Sequence, residues 1–163
     1  MIEQASIQKI LLYDSITGLF LWKEGKRKYF GKSERPAGRL EKSGYMTISI
    51  DRKSYLLHRI AWLYVYGTLP YKIDHKDTIK HHNWIDNLRE ATDSQNSANS
   101  KVNSLNQSGI KGVHFNYERN KWQADIYPNG NSIYLGLYET AEEAHAAYYD
   151  AARKYYGEFA NAG

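Results

Sequence analysis

The stretch Ile73-Asp-His-Lys-Asp-Thr-Ile-Lys-His-His-Asn-Trp-Ile-Asp-Asn-Leu-Arg-Glu-Ala-Thr92, followed by Asp93-Ser-Gln-Asn-Ser-Ala-Asn99, concentrates carboxylates, imidazoles and amides that chemistry can use. Asp74 and His75 are adjacent. At the end of a strand their side chains point to opposite faces, so one can hold a metal while the other approaches from a different direction. Asn87 lies twelve residues after His75, and Asn96 nine further on, in a short helix capped by Thr92 or Asp93. On the residues alone, a capped turn around a hydrogen-bonded histidine is the plainer reading. His81 and His82 read as exposed loop histidines, Asp77 and Asp86 as turn and surface acids, and Asn83 and Asn99 as amides in polar turns.

Working outward towards the N-terminus, Tyr45-Met-Thr-Ile-Ser-Ile50 and Ser54-Tyr-Leu-Leu57 flank Asp51-Arg-Lys53 as a hairpin, with strand-forming residues on both sides of a short polar connection. An earlier pair, around Leu11-Leu-Tyr13 and Leu19-Phe-Leu-Trp22, is joined through Asp14-Ser-Ile-Thr-Gly18. From His58 to Tyr66 the apolar residues suit a short buried helix, ended by Gly67 with Pro70 just beyond.

Towards the C-terminus, Ser100-Lys-Val-Asn-Ser-Leu-Asn-Gln-Ser108 has little to bury and many turn-favouring side chains. It divides the chain into domains at 1–99 and 109–163, with a linker at 100–108. The second region holds strand candidates at Ile110–Tyr117, Lys121–Tyr127 and Ser132–Tyr138. Pro128-Asn129-Gly130-Asn131 supplies turn chemistry between the last two. Thr140-Ala-Glu-Glu143 matches a capping box. The helix it starts runs to about Tyr156, with Ala144, Ala147, Tyr148, Ala151, Ala152 and Tyr155 facing inward and Gly157 as its stop. The fold class is therefore α+β: N-terminal hairpins and a mixed module, then a three-stranded antiparallel sheet packed on one helix.

Composition narrows the function. The 163 residues are 42% hydrophobic and 25% charged, which argues against wholesale disorder. No apolar run approaches the roughly 20 residues of a spanning helix, and the start MIEQASIQKILLYDS has no small-residue cleavage site. A cytoplasmic protein, in a bacterial or phage-infected cell, with no membrane and no obligate protein partner, is the expectation. The absence of Cys excludes disulfides and thiolate zinc, leaving nitrogen and oxygen ligands for any metal. The net charge of +4 suits a polyanion partner. It is concentrated: residues 23–59 carry eleven Lys or Arg against four acids, whereas residues 100–163 carry six against seven. The 15 Tyr and 4 Trp supply core volume and stacking faces.

The lead-in Gly44-Tyr45, the element Leu57-His58-Arg59-Ile60-Ala61-Trp62 and the core Ile73-Asp74-His75 with Asn83, Asn87-Leu88-Arg89 and Asn96 resemble the His-Asn-His (HNH) endonucleases, specifically their phage and intron-encoded homing branch with its ββα-metal finger. The resemblance covers roughly residues 10–99 and implies phosphodiester hydrolysis in double-stranded DNA with one divalent ion, Mg²⁺ or Mn²⁺. It implies His75 as the general base, Asp74 and Asn96 as metal ligands, and Asn87 as the residue that fixes the loop and the orientation of His75; a slip of the alignment would let Asn83 or Asn99 replace a mapped Asn. Arg59 is compatible with phosphate contact or with packing, and His58 with packing. The sequence departs from the family at Thr78, where a loop Gly is common, at His82, where Asp is common, and at Trp84, where Arg is frequent.

Gly109-Ile-Lys-Gly-Val113, Lys121-Trp-Gln-Ala-Asp-Ile126, Tyr134-Leu-Gly-Leu-Tyr138, Thr140-Ala-Glu-Glu-Ala144, Tyr148-Tyr-Asp-Ala-Ala152 and Gly157-Glu-Phe-Ala160 resemble the Apetala-type (ethylene-response-factor) DNA-binding domain. That family lays the exposed face of its sheet in the major groove, which is wide enough for strands. Alternation puts Trp122, Ala124 and Ile126 towards the helix, and Lys121, Gln123, Asp125 and Tyr127 towards DNA. Lys111, His114 and Asn116 map onto reading or phosphate positions, and Tyr134 onto an aromatic one. Several family Arg positions are not Arg here, which implies a different target and weaker direct readout. The competing reading is a DNA-binding regulator with an inactive nuclease module.

Overall fold

The computed structural model describes residues 2–23, 36–102, 106 and 108–161, and the chain forms two compact units, 1–90 and 91–163. Part of the basic stretch, residues 24–35, and part of the expected linker, residues 103–105 and 107, lie outside the described residues. The second unit begins at Ala91, ahead of the boundary expected at 99, so the short helix carrying Asn96 belongs with the second unit.

In the first unit α1 (Gln4–Ile10) runs directly into β1 (Leu11–Tyr13), paired antiparallel with β2 (Phe20–Trp22). Their connection is built by Asp14, whose carboxylate accepts from the Ile16 N–H at 2.9 Å and the Thr17 hydroxyl at 2.7 Å. A second sheet has the order β3 (Arg39–Leu40), β4 (Met46–Ile50), β5 (Lys53–Leu56). Asp51 and Arg52, at φ 49° and 65°, form a two-residue turn between the paired Ile50 and Lys53. Two successive positive φ values match strand twist better than ordinary turns do, so Lys53, expected in the connection, joins the strand. α2 (Leu57–Tyr66) follows without a break and stops at Gly67, whose left-handed φ of 74° returns its N–H to the Leu63 carbonyl.

One face of α2, bearing Leu57, Ile60, Ala61 and Leu63, is buried with Ile7, Leu11, Phe20, Ile48 and Ile73. The Gln4 and Gln8 amides of α1 both donate to the Tyr64 carbonyl, at 2.9 and 3.0 Å, and hold the two helices together. Against this core lies a two-stranded sheet of β6 (Ile73–His75) and β7 (Leu88–Glu90).

The second unit starts with α3 (Asp93–Asn99). Its N-cap is Thr92, in a reciprocal capping box with Gln95. β8 (Val113–Asn116), β9 (Lys121–Ile126) and β10 (Ile133–Tyr138) form an antiparallel sheet in the order β10-β9-β8, close to the expected strands. α4 (Ala141–Tyr156) begins at the Thr140/Glu143 capping box and packs on the sheet. Val113, Ala124, Ile126, Ala144, Tyr148 and Ala152 are its core. At Gly112 a Cβ would collide with the Tyr148 ring, so the glycine is what lets the helix sit this close.

One inward assignment on α4 differs. Tyr155 is exposed, and Tyr156 turns in, bonded to the Ser94 side chain and the Tyr127 backbone. Helical periodicity assumes a flat partner, whereas here α3 adds a second wall at the end of α4. The α+β class is as expected. No helix among the described residues is long and apolar enough to cross a membrane.

Candidate active site

The β6/β7 pair brings Asp74 opposite Arg89 and His75 opposite Leu88. All of Ile73–His75 is buried. The Arg89 Nε donates to Asp74 Oδ2 at 2.9 Å, with both side chains nearly inaccessible. A carboxylate taken out of water needs such a partner, and the guanidinium also sets the plane of the carboxyl group.

His75 is held on several sides. Its Nε2 donates to Asn83 Oδ1 at 3.2 Å, so in the neutral ring the lone pair lies on Nδ1. Its ring meets His58 edge-on at 5.1 Å between centroids, and Tyr45 lies 5.3 Å from His58 and 6.1 Å from His75. Burial pushes the His75 pKa down, against the Asn83 hydrogen bond and the Asp77 and Asp74 charges, which act upward. The neutral form is the one that can accept a proton.

Asn83 owes its position to the first hairpin. The Tyr13 hydroxyl donates to the Asn83 carbonyl at 2.7 Å, the Ile85 N–H donates to the Ser15 carbonyl at 3.1 Å, and Gly18 lies against the Asn83-Trp84 peptide, where a Cβ would not fit. Asn83 is 3% exposed. The orienting hydrogen bond that the family resemblance implies from Asn87 therefore comes from Asn83 in this chain.

Asn87 holds the loop instead. Its Nδ2 donates to Asp77 Oδ1 at 3.0 Å and to the His82 carbonyl at 2.8 Å, and its Oδ1 accepts from the Asp77 N–H at 3.1 Å. Asp77 also accepts from the Ile79 N–H at 2.9 Å and from His82 Nδ1 at 2.6 Å. Burial raises the Asp77 pKa, but the bonds from His82, Ile79 and Asn87 outweigh it and hold the carboxyl below its usual range. His82 also lies against Trp84, with ring centroids 4.6 Å apart. Asp77 and His82, expected to be surface groups, are thus internal struts of the loop. Thr78 sits at φ 64°, a left-handed conformation that strains a β-branched residue and explains why glycine suits this place.

Lys80 closes the loop on its outer side. Its ammonium donates to the Ser43 carbonyl at 3.2 Å and lies 4.9 Å from the centre of the Tyr45 ring. His58 is buried, and its Nδ1 has no hydrogen-bond partner among the described residues. Burial, with the His75 and Arg59 charges, pushes its pKa down to about 3. Arg59 donates to the Pro70 and Tyr71 carbonyls at 3.2 and 3.4 Å, closing the segment after α2. These bonds are the packing role left open for Arg59.

Asn96 stands half-buried on α3 in the second unit. On the outer face of the sheet there, the Asn116 Nδ2 donates to Gln123 Oε1 at 2.9 Å, and the Gln123 Nε2 donates to Asp125 Oδ2 at 2.9 Å. His114 Nδ1 lies 3.7 Å from the same carboxylate oxygen. Asp125, expected to point at a partner, is 7% exposed and serves as the acceptor that ends this ladder. Lys121 pairs with Glu139 at 2.6 Å. Tyr127 and Tyr134 remain exposed. Lys111 precedes β8, and its ammonium donates to the Ala98 and Ser100 carbonyls at the end of α3. No signal in the strand pattern marks that use.

The family model for HNH endonucleases matches residues 55–98. The chain is 36% identical over 124 residues to an uncharacterised HNH endonuclease of Acanthamoeba polyphaga mimivirus, a match that covers 74% of this chain and 63% of that protein. It is 32% identical over 103 residues to Protein 3.8 of Escherichia phage T7, covering 56% of this chain and 85% of that one. No solved structure matches.

Proposed function

We propose that this chain, which carries an HNH endonuclease domain at residues 55–98 and is similar to a viral HNH endonuclease, hydrolyses phosphodiester bonds in double-stranded DNA as a nuclease of the homing or mobile-element type. The observation that carries the reading is the buried His75, held through Nε2 by Asn83 beside Asp74, with its loop tied by Asn87. His75 Nδ1 accepts a proton from the attacking water as the new P–O bond forms and the bond to the 3′ oxygen breaks. Asn83 keeps the imidazole in the tautomer that does this, and Arg89 keeps the Asp74 carboxylate in place.

Asp74 and Asn96 would hold one divalent cation, Mg²⁺ or Mn²⁺. Among the described residues no three His, Cys, Asp or Glu side chains cluster as a metal cage. One carboxylate with one amide oxygen fits a hard ion that keeps most of its waters. When bound, the cation supplies charge stabilisation for the phosphate and for the departing 3′ oxygen.

The second unit positions the enzyme on DNA in the manner of an Apetala-type domain, through the outer sheet face that carries His114, Asn116, Lys121, Gln123, Tyr127 and Tyr134. The exposed rings and the Asn116–Gln123 ladder support this, because side-chain amides and aromatic faces suit groove and base contacts. Lys111 and Asp125 are turned to intramolecular bonds and are left out of that surface.

The experiment is cleavage of supercoiled plasmid and phage DNA in Mg²⁺ or Mn²⁺ by the wild type and by His75→Ala, with EDTA as control. Metal-dependent cleavage that His75→Ala loses supports the reading. Duplex binding without cleavage by the wild type replaces it with the DNA-binding regulator.

A further inference from the structure

The loop between His75 and Asn87 and the strand that leads into it pair off their own carboxylates. Asp74 is bound by Arg89, and Asp77 accepts from His82 and Asn87. Asp86, exposed, lies towards the first hairpin, where its charge acts on Tyr13. Lys80 stands exposed on the same loop, and among the described residues no carboxylate pairs with it. Its ammonium donates to the Ser43 carbonyl at 3.2 Å and lies over the Tyr45 ring. Its stem passes Gly44, where an added Cβ would come 3.6 Å from the Lys80 Cδ.

A carbonyl dipole and an aromatic face hold a cation in place without cancelling its charge. Both contacts are weak at an exposed site, and an ammonium on a flexible four-carbon stem can leave them for an anionic acceptor. The half-buried Tyr45 ring also lies against His58 and His75. One aromatic side chain therefore separates the Lys80 charge from the histidine that takes the proton. A cation kept unneutralised at the rim of such a site is matched by an anion on the substrate.

We propose that Lys80 binds a DNA phosphate neighbouring the scissile one, exchanging the Ser43 carbonyl for a phosphate oxygen while its stem stays on Tyr45 and Gly44. Lys80 is then a binding residue that sets the strand over His75 and touches neither the attacking water nor the cation. This rests on the reading of the site as that of a DNA nuclease. The contact carries no sequence information, because every phosphate presents the same oxygens.

The test is duplex binding in EDTA, followed by fluorescence anisotropy across a salt series, for full-length wild type, Lys80→Met and Lys80→Arg on two duplexes of unrelated sequence. Each phosphate contact contributes about 0.9 to the slope of log affinity against log salt. Lys80→Met keeps most of the stem and loses the charge. Its slope is expected to be shallower by about 0.9 on both duplexes, so that a rise from about 50 to 200 mM salt weakens it about 3.5-fold less than it weakens the wild type. Lys80→Arg should keep the wild-type slope. Thermal melts check folding, and Lys80→Gln replaces Lys80→Met if the latter does not fold. A steep wild-type slope that Lys80→Met shares overturns the phosphate contact and leaves Lys80 as a strut of the loop, even if cleavage falls. Equal shallow slopes in Lys80→Met and Lys80→Arg overturn it too, since the charge alone should restore the slope. Wild-type binding that is flat with salt overturns the nuclease reading beneath the proposal as well.

Discussion

In the first unit His75, Asn83 and Asn87 are buried and hydrogen-bonded within their loop, whereas about the outer face of β8, β9 and β10 in the second the amides of Asn116 and Gln123 are half-buried and the rings of Tyr127 and Tyr134 exposed. Asn83 and Asn87 are 3% and 4% exposed, while Tyr127 and Tyr134 are 59% and 58% exposed. Buried hydrogen bonds in a low-dielectric setting fix geometry but are costly to break singly. A half-buried ladder flanked by exposed rings can exchange its partners for those of a bound molecule at lower cost. On the proposed reading, the contrast separates a region that fixes one reacting geometry from a region that adapts to a bound surface. It also predicts that damage to each will appear in a different measured quantity.

The largest effect is expected at Asn87. Replacing it by Ala removes three bonds that tie Asp77 and His82 together, and should lower the cleavage rate at saturating DNA by about 100-fold, the upper range for groups that orient a metal site. Duplex affinity in EDTA should not change. Equal losses in both quantities would erase the contrast between the regions.

The outer face should give the converse result. Gln123→Ala or Tyr134→Ala is expected to weaken duplex binding by roughly tenfold, as for a lost base contact or stacked ring, and to leave the rate at saturating DNA intact. Fluorescence anisotropy with labelled duplex, alongside single-turnover cleavage, separates the two.

A smaller effect lies in the pH dependence of stability. The unfolded chain protonates His58 near 6.5, but the folded chain does so only at about 3. Between these values the unfolded state binds more protons, so the His58 contribution is full above about pH 6.5 and is lost as the pH falls towards 3. Thermal melts from pH 7 to pH 4 should show a shallower fall in Tm for His58→Phe than for the wild type.

The smallest effect is at Thr78. A left-handed conformation costs an L-residue about 1–2 kcal/mol, partly offset by the entropy glycine loses on folding. Thr78→Gly should therefore raise Tm by roughly 2–4 °C for a gain of about 1 kcal/mol. Cleavage should be retained. A lower Tm would mean that the threonine side chain makes up for its backbone.

Features that depend on residues close in the chain are legible in the amino-acid sequence alone. The Asp14–Gly18 turn, the end of α2 at Gly67 and the Thr140/Glu143 capping box all rest on bonds within a few residues, and all are present. The loop-fixing part assigned to Asn87 is local in the same sense, because it spans only ten residues to Asp77. Asn83 is less legible. In the sequence it is an amide in a polar turn that takes a family Asn position only if the alignment slips, and its bond to His75 depends on Tyr13 and Gly18, far away in the chain. Alternation along β9 places Asp125 on the outer face, but its burial depends on neighbours that alternation does not contain. Tyr155 and Tyr156 exchange roles because α3 supplies a wall that helical periodicity cannot anticipate.

Backbone preference, turn chemistry and spacing act over a handful of residues, and so the order of amino acids is enough to set the α+β class, the strands and caps, and the adjacency of Asp74 and His75 on one strand. Long-range packing was needed to make Asn83 orient His75, to turn Asp77 and His82 into struts of the loop, to bury His58, and to bring Lys111 onto the end of α3. Each of these depends on which side chains water is excluded from and which donors then face which acceptors. That matching is settled only when segments distant in the chain pack together.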